Sequence, residues 1–311
     1  MRSQVSSGLA SSPQEQYAFA YRAHGLNIAS QIELPMLPGA TPGSKPDLRI
    51  RLGPVDREHA AGNGLRRRNV FDQMYYELRA GAELVIEPLP GSDPASIADL
   101  VVSRLLTTAI YQRGMLPLHA SAVLFGDALV AICGESGDGK STLAAMLIER
   151  GGQLLADDML VVTREPPFCA AGPGAGAMKL SGLSLSQLGR AADGLERANR
   201  VEEKFILPVE TVGFGQPVIA ALVQLRAGEP CFAQASPLDA LSGWKKCVRM
   251  IDLMSEAPDP GLLWQNWVDL VANTGNIIVA HGGRMEVSAS HADRLASLAQ
   301  AGTLRELERI D

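Results

Sequence analysis

The stretch "ALVAICGESGDGKSTLAAMLIERGG", residues 128–152, constrains the fold more than any other part of the chain. Ala128 to Cys133 is an unbroken apolar run, the pattern of a strand buried on both faces. It runs straight into a loop with glycines at 134, 137 and 139. Leu143, Met146 and Leu147 then recur at helical spacing until Gly151 and Gly152 stop them. Gly134, Gly139, Lys140 and Ser141 fit the pattern G-x-x-x-x-G-K-[ST]. In such a loop successive backbone N–H groups turn inward and cradle phosphate oxygens, and glycines let the backbone bend and approach the ligand. The following helix adds the positive end of its dipole. Lys140 would reach the β- and γ-phosphates and the Ser141 hydroxyl would bind Mg²⁺. The bare pattern also arises by chance; a buried strand before it and a helix after it are the context chance does not supply. Gly134, Glu135, Ser136, Gly137, Asp138, Gly139, Lys140, Ser141 and Thr142 are therefore the candidate nucleotide contacts.

An acidic pair follows in "QLLADDMLVVT". Asp157 and Asp158 interrupt an apolar strand, which is costly unless they have partners. The helix from Ser141 to Arg150 carries the chain about 15 Å from the phosphates at 1.5 Å per residue. Five extended residues after the Gly turn return it by about 16 Å. Both aspartates come back to the level of the loop, pointing to opposite faces. One carboxylate can face Mg²⁺ while the other faces an incoming hydroxyl, a water, or the far side of the sheet. A carboxylate there can orient a hydroxyl and take its proton, or position water for hydrolysis. His119, in "LPLHASAV" on the preceding strand, is a further candidate, although a lone His on an apolar strand is more often a satisfied core residue.

Around this unit the chain changes texture. Residues 1–16 are rich in Ser and Gln. "PDLRIRLG" alternates cleanly, with Leu48, Ile50 and Leu52 on one face. "MYYELRAGAELVIEP" reads as two strands joined at Gly81. A long amphipathic helix then runs from a cap at Ser92 or Asp93 through Ile97, Val101, Leu105 and Ile110 to Gly114. We place a boundary before it: a β-rich module over 1–91 and a second domain over 92–311. "LPLHASAVLFGDALVAICG" predicts two strands with a turn at "FGD", and strand, Gly-rich loop, helix, strand is the order of a parallel βαβ unit. Trp264 and Trp267, on one face of a helix in "GLLWQNWVDLVA", read as core.

Composition removes several classes. The chain has 311 residues, 46% hydrophobic, with a formal net charge of -6, so an overall basic footprint for nucleic acid is missing. Arg66, Arg67 and Arg68 form a tight basic cluster that reads as a solvated loop. Cys133, Cys169, Cys231 and Cys247 form no C-x-x-C pair and no zinc spacing. No run of eighteen apolar residues spans a membrane and the N-terminus has no apolar signal core, so the expected location is the cytoplasm.

"LHASAVLF", "GESGDGKSTLA" and "RGGQLLADD", in this order and spacing, resemble the catalytic domain of HPr kinase/phosphorylase. With "YRAHGLNIASQIELPMLP" and "YQRGMLPLHASAV" they are more similar to the HPr-kinase-related proteins of lasso-peptide gene clusters. The resemblance covers roughly residues 17–162. It implies an α/β fold with a P-loop core of the HPr kinase/phosphoenolpyruvate-carboxykinase type, ATP and Mg²⁺, and phosphoryl transfer to a Ser hydroxyl of a peptide or protein, a lasso-peptide precursor being the specific expectation. It implies Lys140 and Ser141 as the loop residues, Asp157 as catalytic base, Asp158 as the acidic residue near the metal with Ser141, and His119 in the active site. The second HPr-kinase signature has a Glu and an Arg; here the counterpart "AMKLSGLS" has neither, so the resemblance leaves the reverse activity open and no transition-state Arg is assigned, with Arg200 and Lys204 reading as surface charge. Homo-oligomerisation stays open. A regulatory nucleotide-dependent NTPase or binding module, and a small-molecule kinase of the same fold, remain the alternatives.

Overall fold

The computed structural model describes residues 17–305, except 42, 44, 56–63, 69–71, 164–166, 175, 199–202, 211, 214 and 283–288. Arg200 lies outside the described residues.

The first sheet is built from β1 (Phe19–Ala23), β2 (Leu26–Ser30), β3 (Leu48–Leu52), β4 (Gly64–Arg68), β5 (Met74–Arg79) and β6 (Glu83–Pro88) in the order β1-β2-β3-β6-β5-β4. The alternation in β3 holds for Leu48 and Ile50, which are buried, while Leu52 is exposed at the strand end. Arg66–Arg68, expected in a loop, instead lie on edge strand β4, whose backbone pairs with β5.

The expected long helix follows. Asp93 caps it by accepting from the backbone N–H of Ala95 and Ser96, and Pro94 takes the first turn, where a missing N–H costs nothing. It is not uniform. α1 (Pro94–Leu100) passes into a π-helical turn at Val101–Leu105 and resumes as α2 (Leu106–Gln112). Its apolar face, including Ile97, Val101, Leu105 and Ile110, shares one core with Ile28, Ile50, Leu78 and Ile86 of the first sheet. Gly81, between β5 and β6, has φ +63, and a Cβ there would stand 2.4 Å from the Ala109 carbonyl, so glycine is what lets the sheet close on the helix.

The second six-stranded sheet holds the Gly-rich loop. The two strands expected before that loop are three, because the first breaks at His119: β7 (Leu116–Leu118), β8 (Ala120–Phe125) and β9 (Ala128–Cys133). α3 (Lys140–Ile148) follows the loop. The expected strand over "QLLADDMLVVT" is also broken, into β10 (Gln153–Ala156) and β11 (Leu160–Val162), with the aspartates in the bend between them. β12 (Ala177–Ser181), α4 (Gly182–Gln187) and β13 (Lys204–Pro208) form a side ribbon and a capped turn of helix. β14 (Ile219–Ala227), β15 (Cys231–Gln234), α5 (Pro237–Ser242), α6 (Trp244–Cys247), a 3₁₀ segment at Ile251–Glu256, α7 (Pro260–Asn273), β16 (Gly275–His281) and α8 (Ala289–Ala301) complete the order.

The sheet runs β10-β8-β9-β14-β16-β15. β9 and β10 are not neighbours: β8 lies between them, antiparallel to both, so the expected βαβ step spans one strand. β9 is parallel to β14, and β14 to β16. As the apolar run predicts, β9 is covered on both faces. Leu129, Ala131 and Cys133 join the core under α7, and Val130 and Ile132 the core under α3 and α8. Trp267 is fully buried against Trp244, whereas Trp264 is 43% exposed, so only one of the two tryptophans is core. The architecture is mixed α/β with several sheets. No helix of the described residues is long and apolar enough to cross a membrane.

His24 sits in the β1–β2 turn with φ +53 and is 3% exposed. Burial first, and then the nearby Arg249 charge, lowers its pKa from 6.5 to about 4. Below 6.5 the unfolded chain takes up a proton that the folded chain refuses until about pH 4. Stability from keeping His24 neutral is thus complete above 6.5 and falls across that window, by on the order of 3 kcal/mol. Urea unfolding at several pH values should show this decline, and His24→Asn, a residue that tolerates a left-handed backbone, should flatten it. An equal slope in both proteins would refute the assignment.

Candidate active site

The loop that β9 delivers has the shape its glycines predict. Gly137 and Gly139 have φ +91 and +89, left-handed values that side chains resist. Asp138 is buried and accepts the Glu135 N–H at 2.7 Å, closing the loop on itself. No side chain caps α3, so its first N–H groups face the cleft. The Lys140 Nζ donates to the carbonyls of Gly134 and Glu135 at 2.9 and 2.8 Å. Burial holds its pKa below the ordinary lysine value, with nearby acidic groups pulling the other way.

Asp157 is 6% exposed and fully provided with donors. Its Oδ1 accepts the Ser141 hydroxyl at 2.8 Å and the Ser121 hydroxyl at 2.6 Å; its Oδ2 accepts the Lys179 N–H at 3.0 Å. Asp158 turns the other way, on a backbone with φ +72. Its Oδ1 lies 2.9 Å from Arg249 Nη1 and 3.2 Å from His119 Nδ1. Arg249 also donates to the Asp158 carbonyl at 2.6 Å and, through Nε, to Thr107 at 3.2 Å. The desolvation of Asp158 works against ionisation. The His119 hydrogen bond and the Arg249 charge outweigh it and hold the carboxyl well below its ordinary value.

Most of these groups line one cleft of about 870 Å³. It brings together His119, Glu135, Ser136, Gly137, Gly139, Lys140, Ser141, Thr142, Asp157 and Asp158, while Gly134 and Asp138 support the loop from behind. The resemblance implies Ser141 and Asp158 near the metal; in the structure the Ser141 hydroxyl donates to Asp157 and Asp158 faces His119 and Arg249. Ser141 pairs with Asp157, because the bend after β10 turns the first carboxylate toward α3 and the left-handed residue turns the second toward His119 and Arg249. His119 is not a core residue; it faces the cleft from the break between β7 and β8.

Sequence reasoning missed several residues of this cleft. Ser121, fully buried on β8 behind the cleft, holds Asp157 in place. Lys245, Lys246 and Arg249 fall within five residues, a second basic cluster besides Arg66–Arg68. Lys246 reaches Glu135 at 3.4 Å, tying α6 to the loop. Arg249 is 6% exposed and had no signal of its own; Tyr111 fixes it by donating to its carbonyl at 2.6 Å. Lys204 lines the cleft as well. From "AMKLSGLS", Lys179 and Ser181 line the cleft, and Ser184 accepts from Thr142 at 2.8 Å.

The residues fit a magnesium nucleotide. Mg²⁺ is commonly held by one or two protein oxygens while phosphates and water complete its shell. The Ser141 hydroxyl and Asp157 Oδ1, hydrogen-bonded at the loop's exit, are such a pair. Among the described residues no cluster of three His, Cys, Asp or Glu side chains forms a metal cage of its own.

No protein-family model matches the chain, and no curated protein matches it significantly. Among solved structures, the HPr(Ser) kinase/phosphatase from Coxiella burnetii is similar to 61% of this chain over 92% of its own, at 16% identity and a TM-score of 0.32. A likeness of that size says nothing about what this cleft acts on.

The geometry makes the Asp158 ion pair testable. Carboxyl-carbon NMR should place the Asp158 titration well below the ordinary aspartate value, and Arg249→Met should move it upward. The sign follows from the lowered pKa. The pair stabilises the fold above the unfolded aspartate value and loses that contribution as pH falls through the lower folded one. A titration unmoved by Arg249→Met would contradict the pairing.

Proposed function

We propose that this protein is an ATP-dependent kinase that phosphorylates a serine hydroxyl on a peptide or protein. The observation that carries the reading is the division of labour between adjacent carboxylates. Asp157 is bound to the Ser141 hydroxyl at the exit of the phosphate-type loop, and Asp158 faces the same cleft between His119 and Arg249.

In this reading the loop Gly134–Thr142 cradles the triphosphate and Lys140 leaves its two carbonyl partners for the β- and γ-oxygens. Ser141 and Asp157 hold Mg²⁺, which when bound neutralises the charge of those oxygens. Asp158 and His119 orient the acceptor hydroxyl. A bond forms from the acceptor oxygen to the γ-phosphorus as the bond to the β–γ bridging oxygen breaks. The hydroxyl proton passes to Asp158, and ADP leaves. A carboxylate held ionised by Arg249 is a weak base, but a loose phosphoryl transition state asks for position more than for basicity. Arg249 is near enough to stabilise charge on the transferred group, which supplies the arginine that the sequence did not assign. This use of the two aspartates exchanges the roles that the sequence resemblance implies. A ribosomally made precursor peptide is the acceptor that the resemblance favours, in the cytoplasm.

Intact-mass measurement of serine peptides incubated with the protein, ATP and Mg²⁺ tests this. A gain of one phosphoryl group is expected. Asp158→Asn should lower kcat about 10²- to 10⁴-fold with little change in ATP affinity. Asp157→Asn and Ser141→Ala should instead weaken the Mg²⁺ dependence of ATP binding, and Lys140→Ala should lose ATP binding. Undiminished transfer by Asp158→Asn would refute its role. ATP consumption with no phosphorylated peptide would favour a regulatory NTPase.

A further inference from the structure

Behind the acidic pair lies a second, smaller void of about 40 Å³. It shares Asp99, Ser103, Asp157, Asp158, Lys179 and Arg249 with the large cleft, so the two meet at the aspartates. Its remaining wall comes mainly from the first sheet and its helix. Met36, Leu37, Val102, Met159, Ala177 and His24 make up that wall. A water needs about 10–15 Å³ of such volume, so the void holds roughly three waters or one small side chain.

Three features mark it as more than a packing gap. Apart from the six residues shared with the cleft, its walls are apolar except for His24, whose buried Nδ1 has no hydrogen-bond partner among the described residues. Buried polar atoms are nearly always paired, and an exception calls for an explanation. Two non-glycine residues that border the void, His24 and Asp158, have left-handed backbones, a costly state that gathers at functional sites. The helix beside it changes to a π-turn at Val101–Leu105, and that turn presents Val102 and Ser103 to the void. A π-turn inside an α-helix is another feature that gathers at functional sites.

We propose that this void is the acceptor subsite: it takes the small apolar residue flanking the phosphorylated serine, with one backbone group of the acceptor bonded to His24 Nδ1. The proposal rests on the kinase reading above. The acceptor serine then lies over Asp158, between the two voids, and its neighbour seats against Met36, Leu37, Val102 and Met159. His24 stays neutral at physiological pH, so it offers a hydrogen bond without a charge. The β-rich N-terminal part thereby selects the acceptor, while the second sheet carries the nucleotide.

The test is steady-state phosphorylation of short serine peptides whose residues flanking the serine are Gly, Ala, Val, Leu or Phe, with ATP and Mg²⁺. The wild type should prefer Ala or Val over Phe at one flanking position. Met36→Trp, at a half-buried turn position, should fill the void. It should raise the KM for the Val peptide about tenfold, the scale of a lost apolar contact in a pocket, and shift preference to Gly. Val102→Ala widens the void and should admit Phe, and this milder change keeps the test available if Met36→Trp does not fold. His24→Asn should raise KM for every peptide alike. ATP affinity, measured separately, should be unchanged in all three. Transfer that proceeds with no flanking preference and an unaltered peptide KM in the variants overturns the subsite and leaves the kinase reading standing. Failure to label any peptide while ATP is bound overturns the peptide-kinase reading, and the subsite falls with it.

Discussion

A carboxylate removed from water must be met by donors, and the way Asp157 is met organises the candidate site. Its three donors come from three elements: Ser121 from β8, Ser141 from α3 and the Lys179 N–H from β12. Hydrogen bonds to a charged group are stronger than those between neutral groups, and losing one leaves a buried charge exposed to its full desolvation cost. The carboxylate therefore fixes where α3 begins relative to β8 and where the ribbon of β12 and β13 docks. Because it occupies the bend, β10 and β11 cannot be one strand. That break points Asp158 in the opposite sense and opens the cleft toward the first sheet.

A second set of contacts approaches from the other side. Where Arg249 reaches Asp158, its carbonyl is held by Tyr111 and its guanidinium by Thr107, both on α2. The Met250 backbone beside it is left-handed, at φ +44. α2 is in turn fixed by the core it shares with the first sheet. The first sheet thus acts on the cleft through one helix, and the π-turn lies on that path. Its extra residue per turn rotates Val102 and Ser103 relative to an unbroken α-helix.

What the sequence made legible follows local rules. The buried strand β9, the loop glycines, the helix after them, the Asp93 cap and the return of the aspartates to loop level depend on neighbours in the chain. What it hid depends on distance. Arg249 is 91 positions from Asp158, and nothing in "KKCVRMI" states that Tyr111 will anchor it. The insertion of β8 between β9 and β10 is a matter of sheet order, which periodicity does not carry. Which partners the two aspartates meet turned on one dihedral angle. Alternation along a strand puts them on opposite faces but does not say which face holds Ser141, and a left-handed residue departs from alternation altogether. Trp264 shows the same limit: two tryptophans three apart share a helical face, yet only Trp267 has a cover deep enough to bury it.

The charges of the cleft bear on how its two halves divide recognition. Lys140, Lys179, Lys204, Lys245, Lys246 and Arg249 line it against Asp99, Glu135, Asp157 and Asp158, a positive surplus on a chain whose net charge is negative. Several of these are already engaged: Lys246 with Glu135, Lys179 with Asp99, Arg249 with Asp158. Among the described residues the Lys140 ammonium is hydrogen-bonded to two carbonyls and to no carboxylate. A net-anionic magnesium nucleotide at the loop would balance part of that surplus. Behind the aspartates, Lys179 and Arg249 are offset by Asp99, Asp157 and Asp158, and the rest of the wall is methionine, leucine, valine and alanine with a neutral histidine. Charge can select what binds at the loop, but in the smaller void, where Lys179 and Arg249 are already engaged by Asp99 and Asp158, it selects less. There, discrimination falls to shape and to one hydrogen bond. A site built that way rejects a larger group by steric exclusion and a group lacking the bonding partner by leaving His24 unpaired.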